Sequence, residues 1–146
     1  MTTQLKGTTT VATLVVSNSL DELVRLQPFV SEVVAKCNVS EDMEGTINLA
    51  LEEALVNVML YAYPKGQEAQ IRLDAIHSDS PNTLAFVITD SGVAFDPTSR
   101  PSADITLPVE ERPIGGLGIF LVKNIMDEVT YRRIDGRNEL TMLKRI

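Results

Sequence analysis

Twice in this sequence a β-branched apolar run is followed almost at once by another: 69–76 by 83–89, and 129–134 by 140–146. Such short separations leave no room for the crossover a parallel pair requires, so each couple can fold together only as an antiparallel hairpin. The polar segment 77–82 is the predicted turn of the first. Asp135-Gly136 marks the second, a dipeptide suited to the positive φ of a tight turn. Residues 11–17 alternate and are rich in Val and Thr, which predicts one more strand, at a sheet edge, with residues 1–10 frayed.

The remaining patterned segments have helical period. Ser19-Leu20-Asp21-Glu22 has capping-box spacing, and Leu23, Leu26, Val30, Val33 and Val34 then recur on one face until about Cys37. Ser40, with Glu41 and Asp42 suited to the positive end of a helix dipole, opens a second helix that runs to about Ala62, before Pro64. Leu117, Phe120, Leu121 and Ile125 give a third, from Gly116 to about Asp127. Between Asp90 and that helix lie Pro97, Pro101, Pro108 and Pro113, four of the seven prolines, so 96–114 is predicted as a loop or lid. Three apolar helix stripes can cover one face of a sheet. The expected fold is therefore α+β, a two-layer sandwich with a mainly antiparallel mixed sheet and three helices on one face. With 146 residues, 44% of them hydrophobic, the chain is expected to form one domain over 1–146.

A net charge of −7 argues against general binding to nucleic acid or an anionic membrane, both held mainly by Lys and Arg. Apolar runs such as 84–88 fall far below the roughly 20 residues of a membrane span, and 1–10 has no apolar signal core, so a cytoplasmic location is expected. Cys37, the only cysteine, can form neither an intramolecular disulfide nor a zinc cluster and is expected to be a buried packing residue. His77, in the predicted turn, is expected at the surface.

Three segments carry chemistry. In Glu53-Ala54-Leu55-Val56-Asn57 the two polar residues are four apart, on nearly one helix face and about 6 Å apart along the axis. A carboxamide can ligate a hard cation such as Mg²⁺. Apolar neighbours suggest that the pair is partly buried, although a solvent-facing pair on an amphipathic helix has the same spacing. Asp90-Ser91-Gly92 follows an apolar strand, which puts a carboxylate at its end and a Gly where the backbone can pass close to a ligand; an ordinary Asp-x-Gly turn is the alternative. Gly115, Gly116 and Gly118 open a helix whose free amides can hold phosphates, or they form a hinge with close helix packing. No Gly-x-x-x-x-Gly-Lys-Ser/Thr run is present, which excludes a P-loop. Leu121 stands where a dinucleotide fingerprint needs its third Gly.

In order and spacing these segments resemble the ATP-binding domain shared by gyrase, histidine kinases and the heat-shock chaperone, the Bergerat fold. Within it they look most like the anti-sigma-factor serine kinases of bacterial partner-switching pathways. Glu53 to Asn57 with Tyr61-Ala62-Tyr63 matches that family's N box, Asp90-Ser91-Gly92 with Phe95-Asp96-Pro97 its first glycine box, and Gly116-Leu117-Gly118 its second. Tyr61 stands where many members have His, and Ala94 replaces a Gly common in other relatives. The resemblance implies ATP and Mg²⁺ as cofactors, with Asn57 holding the metal, Glu53 acting as general base and Asp90 binding the adenine amino group. It further implies that Gly92, Gly116, Leu117 and Gly118 shape the adenine pocket and phosphate lid, and that Arg112 contacts the terminal phosphate or a protein partner. The implied function is a serine/threonine protein kinase that phosphorylates an anti-sigma-factor antagonist and sequesters a sigma factor. A homodimer is compatible with it, and so is a catalytically silent ATP-binding module that controls a partner by binding alone. No phosphoacceptor-histidine domain precedes the boxes, so a complete histidine kinase is not expected.

Overall fold

The computed structural model describes residues 5–64, 66–99 and 116–146. Most of the predicted lid, Arg112 included, lies outside the described residues.

The strands are β1 (Lys6–Ser17), β2 (Gln70–Ser80), β3 (Asn82–Asp90), β4 (Glu128–Ile134) and β5 (Arg137–Arg145). They form one five-stranded sheet in the order β1-β2-β3-β5-β4, and every pairing among the described residues is antiparallel. The hairpins are those expected, but they are longer. Residues 77–80, predicted as turn, continue β2 because β1 itself begins at Lys6, opposite Ser80, and offers them a ladder. The connection shrinks to Ser80-Pro81, with Asp79 opposite Asn82. The expected fraying is accordingly absent from Lys6 onward. His77 therefore sits half-buried on a strand, its Nε2 2.7 Å from Asn82 Oδ1. The second turn is as predicted, with φ of 50° at Asp135 and 75° at Gly136.

Three helices, α1 (Leu26–Lys36), α2 (Glu44–Tyr61) and α3 (Gly116–Ile125), cover one face. Strand period 2 sorts the side chains. Leu14, Leu73, Ile88 and Leu140 lie in one cross-strand row, with Ala75, Phe86 and Met142 in another, all facing the helices. Of the opposite parity, Thr13, Val15 and Arg72 are exposed, while Ala85 and Leu143 are buried. Ser19 caps a 3₁₀ turn, Leu20–Arg25, before α1 begins. Its expected capping box does not close: Glu22 Oε1 accepts instead from the Ser17 amide at 3.0 Å, tying the turn to the end of β1. Ser40, expected to open α2, caps a 3₁₀ turn, Glu41–Met43, that leads into it, accepting from the Asp42 amide at 3.3 Å. Cys37 is half-buried, packed against the core and not within it, and burial pushes its thiol pKa up.

Phe86, fully buried on the central strand, anchors both layers. Phe86→Ala is expected to lower the unfolding free energy by about 3–5 kcal/mol, as urea denaturation would show.

Candidate active site

The middle of α2 is apolar on most of its circumference: Ile47, Ala50, Leu51, Ala54, Leu55, Val58 and Met59 are all buried. Asn57 is among them, 1% exposed. Its Nδ2 donates to the Glu53 carbonyl one turn back at 2.8 Å, and its Oδ1 is buried without a partner. Turning the amide over would set oxygen against a carbonyl, so the nitrogen must face the helix and the acceptor is left over. An unsatisfied buried acceptor costs roughly 1–3 kcal/mol. A hard cation or its water would satisfy it. A Mg²⁺ bound mainly by phosphates needs only one such protein oxygen, so the residues present fit such an ion.

Glu53 is half-buried beside this amide. Burial first, then the neighbouring charge of Glu52, holds its carboxyl above the ordinary carboxylate value. The start of α3 packs directly on the pair. A Cβ added at Gly118 would come 2.5 Å from Glu53 Oε2 and 3.4 Å from Asn57 Nδ2. The first and third sequence segments thus meet, and the α3 N-terminus approaches the carboxylate because residue 118 has no side chain.

Asp90 ends β3 facing inward, 3% exposed. Its Oδ1 accepts from the Gly92 amide at 2.8 Å and from Asn138 Nδ2 at 2.9 Å. Tyr63, the residue after the α2 C-cap, reaches the same place. Its hydroxyl accepts from the Ser91 amide at 3.0 Å and is pushed above its ordinary pKa, first by burial and then by the Asp90 charge. Gly92 has a packing reason of its own. A Cβ there would lie 2.2 Å from the Ala62 carbonyl oxygen, so the glycine admits the α2 terminus. Next to it the Val93 amide donates to that carbonyl at 2.8 Å, and the Tyr61 and Phe95 rings lie 5.5 Å apart. The second segment is in this way joined to the helix that carries the first.

Gly116 and Leu117 open α3, while Arg112 lies outside the described residues. Sequence reasoning overlooked Asn138 and Arg133. Asn138 is buried and donates to Asp90, and Arg133 Nη1 donates to the Gly92 carbonyl at 2.8 Å. The available signal was parity: Asn138 precedes Leu140 and Met142 by even steps, which makes it a polar residue on an inward-facing position.

A sequence model described as a histidine kinase-like ATPase domain matches residues 16–144. The chain belongs to the histidine kinase-like ATPase family. Within that family it is similar to the serine/threonine-protein kinase BtrW of Bordetella bronchiseptica, 31% identical over 103 residues that make up 70% of this chain and 71% of the relative. It is also similar to the serine-protein kinase RsbW of Bacillus cereus, 32% identical over 104 residues, 68% of this chain and 62% of that protein. The solved RsbU and RsbW domains of Rv1364c from Mycobacterium tuberculosis share the fold, with a TM-score of 0.62 over 92% of this chain and 32% of that one, at 12% identity.

The two glycines make opposite demands. Gly92→Ala sets a methyl group against backbone that cannot yield and is expected to destabilise the protein by about 1–3 kcal/mol. Gly118→Ala meets the far end of a flexible Glu53 and should leave the melting temperature nearly unchanged. Thermal unfolding of the two variants followed by circular dichroism separates the cases.

Proposed function

We propose that this chain is an ATP- and Mg²⁺-dependent serine/threonine protein kinase that acts as an anti-sigma factor, phosphorylating a serine on an antagonist protein and sequestering a sigma factor. The observation that carries the reading is the orphaned Asn57 oxygen, buried beside a carboxylate of raised pKa at the opening of α3. The names of the kinase relatives support it. The proposed setting is the cytoplasm, where ATP is available.

In this reading Asp90 accepts a hydrogen bond from the adenine amino group, and the amides at Gly116, Leu117 and Gly118 favour the phosphates through the helix dipole. Asn57 Oδ1 would hold Mg²⁺, which when bound supplies positive charge to the transferring phosphoryl group. Glu53 takes the proton of the substrate serine as its oxygen bonds to the γ-phosphorus, while the bond to the β-phosphate bridging oxygen breaks and ADP leaves. Arg112 is a candidate contact for the terminal phosphate or a partner.

A general base contributes typically 10²- to 10⁴-fold to rate and little to ground-state binding. Glu53→Gln is therefore expected to lose phosphate transfer to a co-encoded antagonist, measured with labelled ATP, while ATP affinity holds. In the wild type, transfer should rise with pH along a limb centred above the ordinary carboxylate value, because the base must be ionised. Stability follows the opposite sign. The raised folded-state pKa favours folding below the unfolded value and loses that contribution as pH climbs through the folded one, so Glu53→Gln should flatten this loss in denaturation curves. Should the wild type transfer no phosphate while ATP still alters partner affinity, the silent binding module is the correct reading.

Asn57→Ala should remove the Mg²⁺ dependence of ATP affinity in calorimetry and abolish transfer. Wild-type metal dependence in that variant would contradict the assignment.

A further inference from the structure

We propose that Asn138 is a positioning residue that sets the purine selectivity of this site by holding the Asp90 carboxylate and the loop after it in one arrangement. The inference rests on the nucleotide reading above and adds a residue outside the three sequence segments.

Asn138 stands opposite Asp90 in the β3–β5 register and is 4% exposed. It uses both ends of its amide. Nδ2 donates to Asp90 Oδ1 at 2.9 Å and to the Val93 carbonyl at 2.7 Å. Oδ1 accepts from the Phe95 amide at 3.2 Å, from Arg133 Nη1 at 3.2 Å and from the Tyr131 hydroxyl. The reversed amide would set its protons against three donors, so only one orientation is possible. One side chain thus holds the loop at a carboxylate, a carbonyl and an amide, over Asp90, Val93 and Phe95.

The consequence for recognition is directional. With Oδ1 engaged by two donors, the Gly92 amide and Asn138, and with the Tyr63 hydroxyl bonded to the same carboxylate, rotation about its terminal torsion is opposed and its other oxygen keeps a single direction. A carboxylate aimed this way accepts from a purine carrying a 6-amino group. It opposes a 6-keto purine, whose oxygen would face it with no proton between them. Without the Asn138 donor the carboxylate and loop could shift, and the distinction would weaken. A residue with a merely structural role would change affinity for both purines alike.

Calorimetry on the whole chain with Mg-ATP and Mg-ITP, which differ at purine position 6, tests this. Asn138→Asp retains an acceptor for Phe95, Tyr131 and Arg133 and replaces the donors toward Asp90 and Val93 by a second carboxylate that repels the first, which keeps the test usable if Asn138→Ala does not fold. In either variant ATP affinity is expected to fall by about tenfold or more, the loss of one hydrogen bond to a charge, while ITP changes by less than about threefold. In an Asp90→Asn background the further loss on Asn138→Asp should be under about threefold, because no carboxylate remains to be aimed. Equal losses for both nucleotides, no loss for either, or full additivity with Asp90→Asn would overturn the inference and leave ATP binding intact. A wild type that binds neither nucleotide would overturn the nucleotide reading as well.

Discussion

A carboxylate buried at the end of a central strand must be solvated by the protein, because an unpaired ion in the interior is several kcal/mol unfavourable. Asp90 is such a group, and much of the surrounding structure supplies its partners. The β3–β5 register brings Asn138 opposite it, and the chain turns back so that the Gly92 amide points at the same oxygen. That turn presses residue 92 against the Ala62 carbonyl at the α2 C-cap, where only glycine fits. The α2 terminus is thereby drawn in, with Tyr63 reaching Ser91 and Tyr61 lying beside Phe95. The strand end, the loop and the helix end form one hydrogen-bonded unit.

The opposite tension holds in the middle of α2. A helix with this much buried apolar surface would be more stable with Leu at position 57, yet it carries an amide whose oxygen has no protein partner. Local rules are broken in this way where a site needs a group for something else. Glu53 repeats the pattern, since its raised pKa means that the folded chain disfavours the very charge a base requires. The glycine at 118 brings α3 against both residues. Stability is given up at three adjacent positions, all on the surface where the first and third sequence segments meet.

The sheet face away from the helices has simpler chemistry. Arg72 pairs with Asp74 and Arg132 with Glu139 across exposed surface, contacts that contribute little in water. The free edge at β1 is blunted from the helical layer: Arg25 donates to the Val15 carbonyl at 2.9 Å and Lys36 to the Val11 carbonyl at 3.0 Å. Occupied edge carbonyls discourage pairing with a further strand.

Local patterns in the sequence were enough to read the antiparallel hairpins, the three helices, their two-layer packing, the shared face of Glu53 and Asn57 and the place of Asp90 at a strand end, because strand and helix periods dictate which side chains share a face. The Asp135-Gly136 turn was equally legible, since few dipeptides accept two positive φ angles. The extent of β1 and β2 was not. Residues 77–80 are polar and turn-like by composition, and they extend only because Lys6 to Thr10 lie beside them. Nor could the sequence assign Gly92 to the Ala62 carbonyl, Gly118 to Glu53 or Asn138 to Asp90, whose partners lie 30, 65 and 48 positions away. Those pairings depend on how distant elements pack. Periodicity determines the face a residue occupies, and only the tertiary fold decides what it meets there.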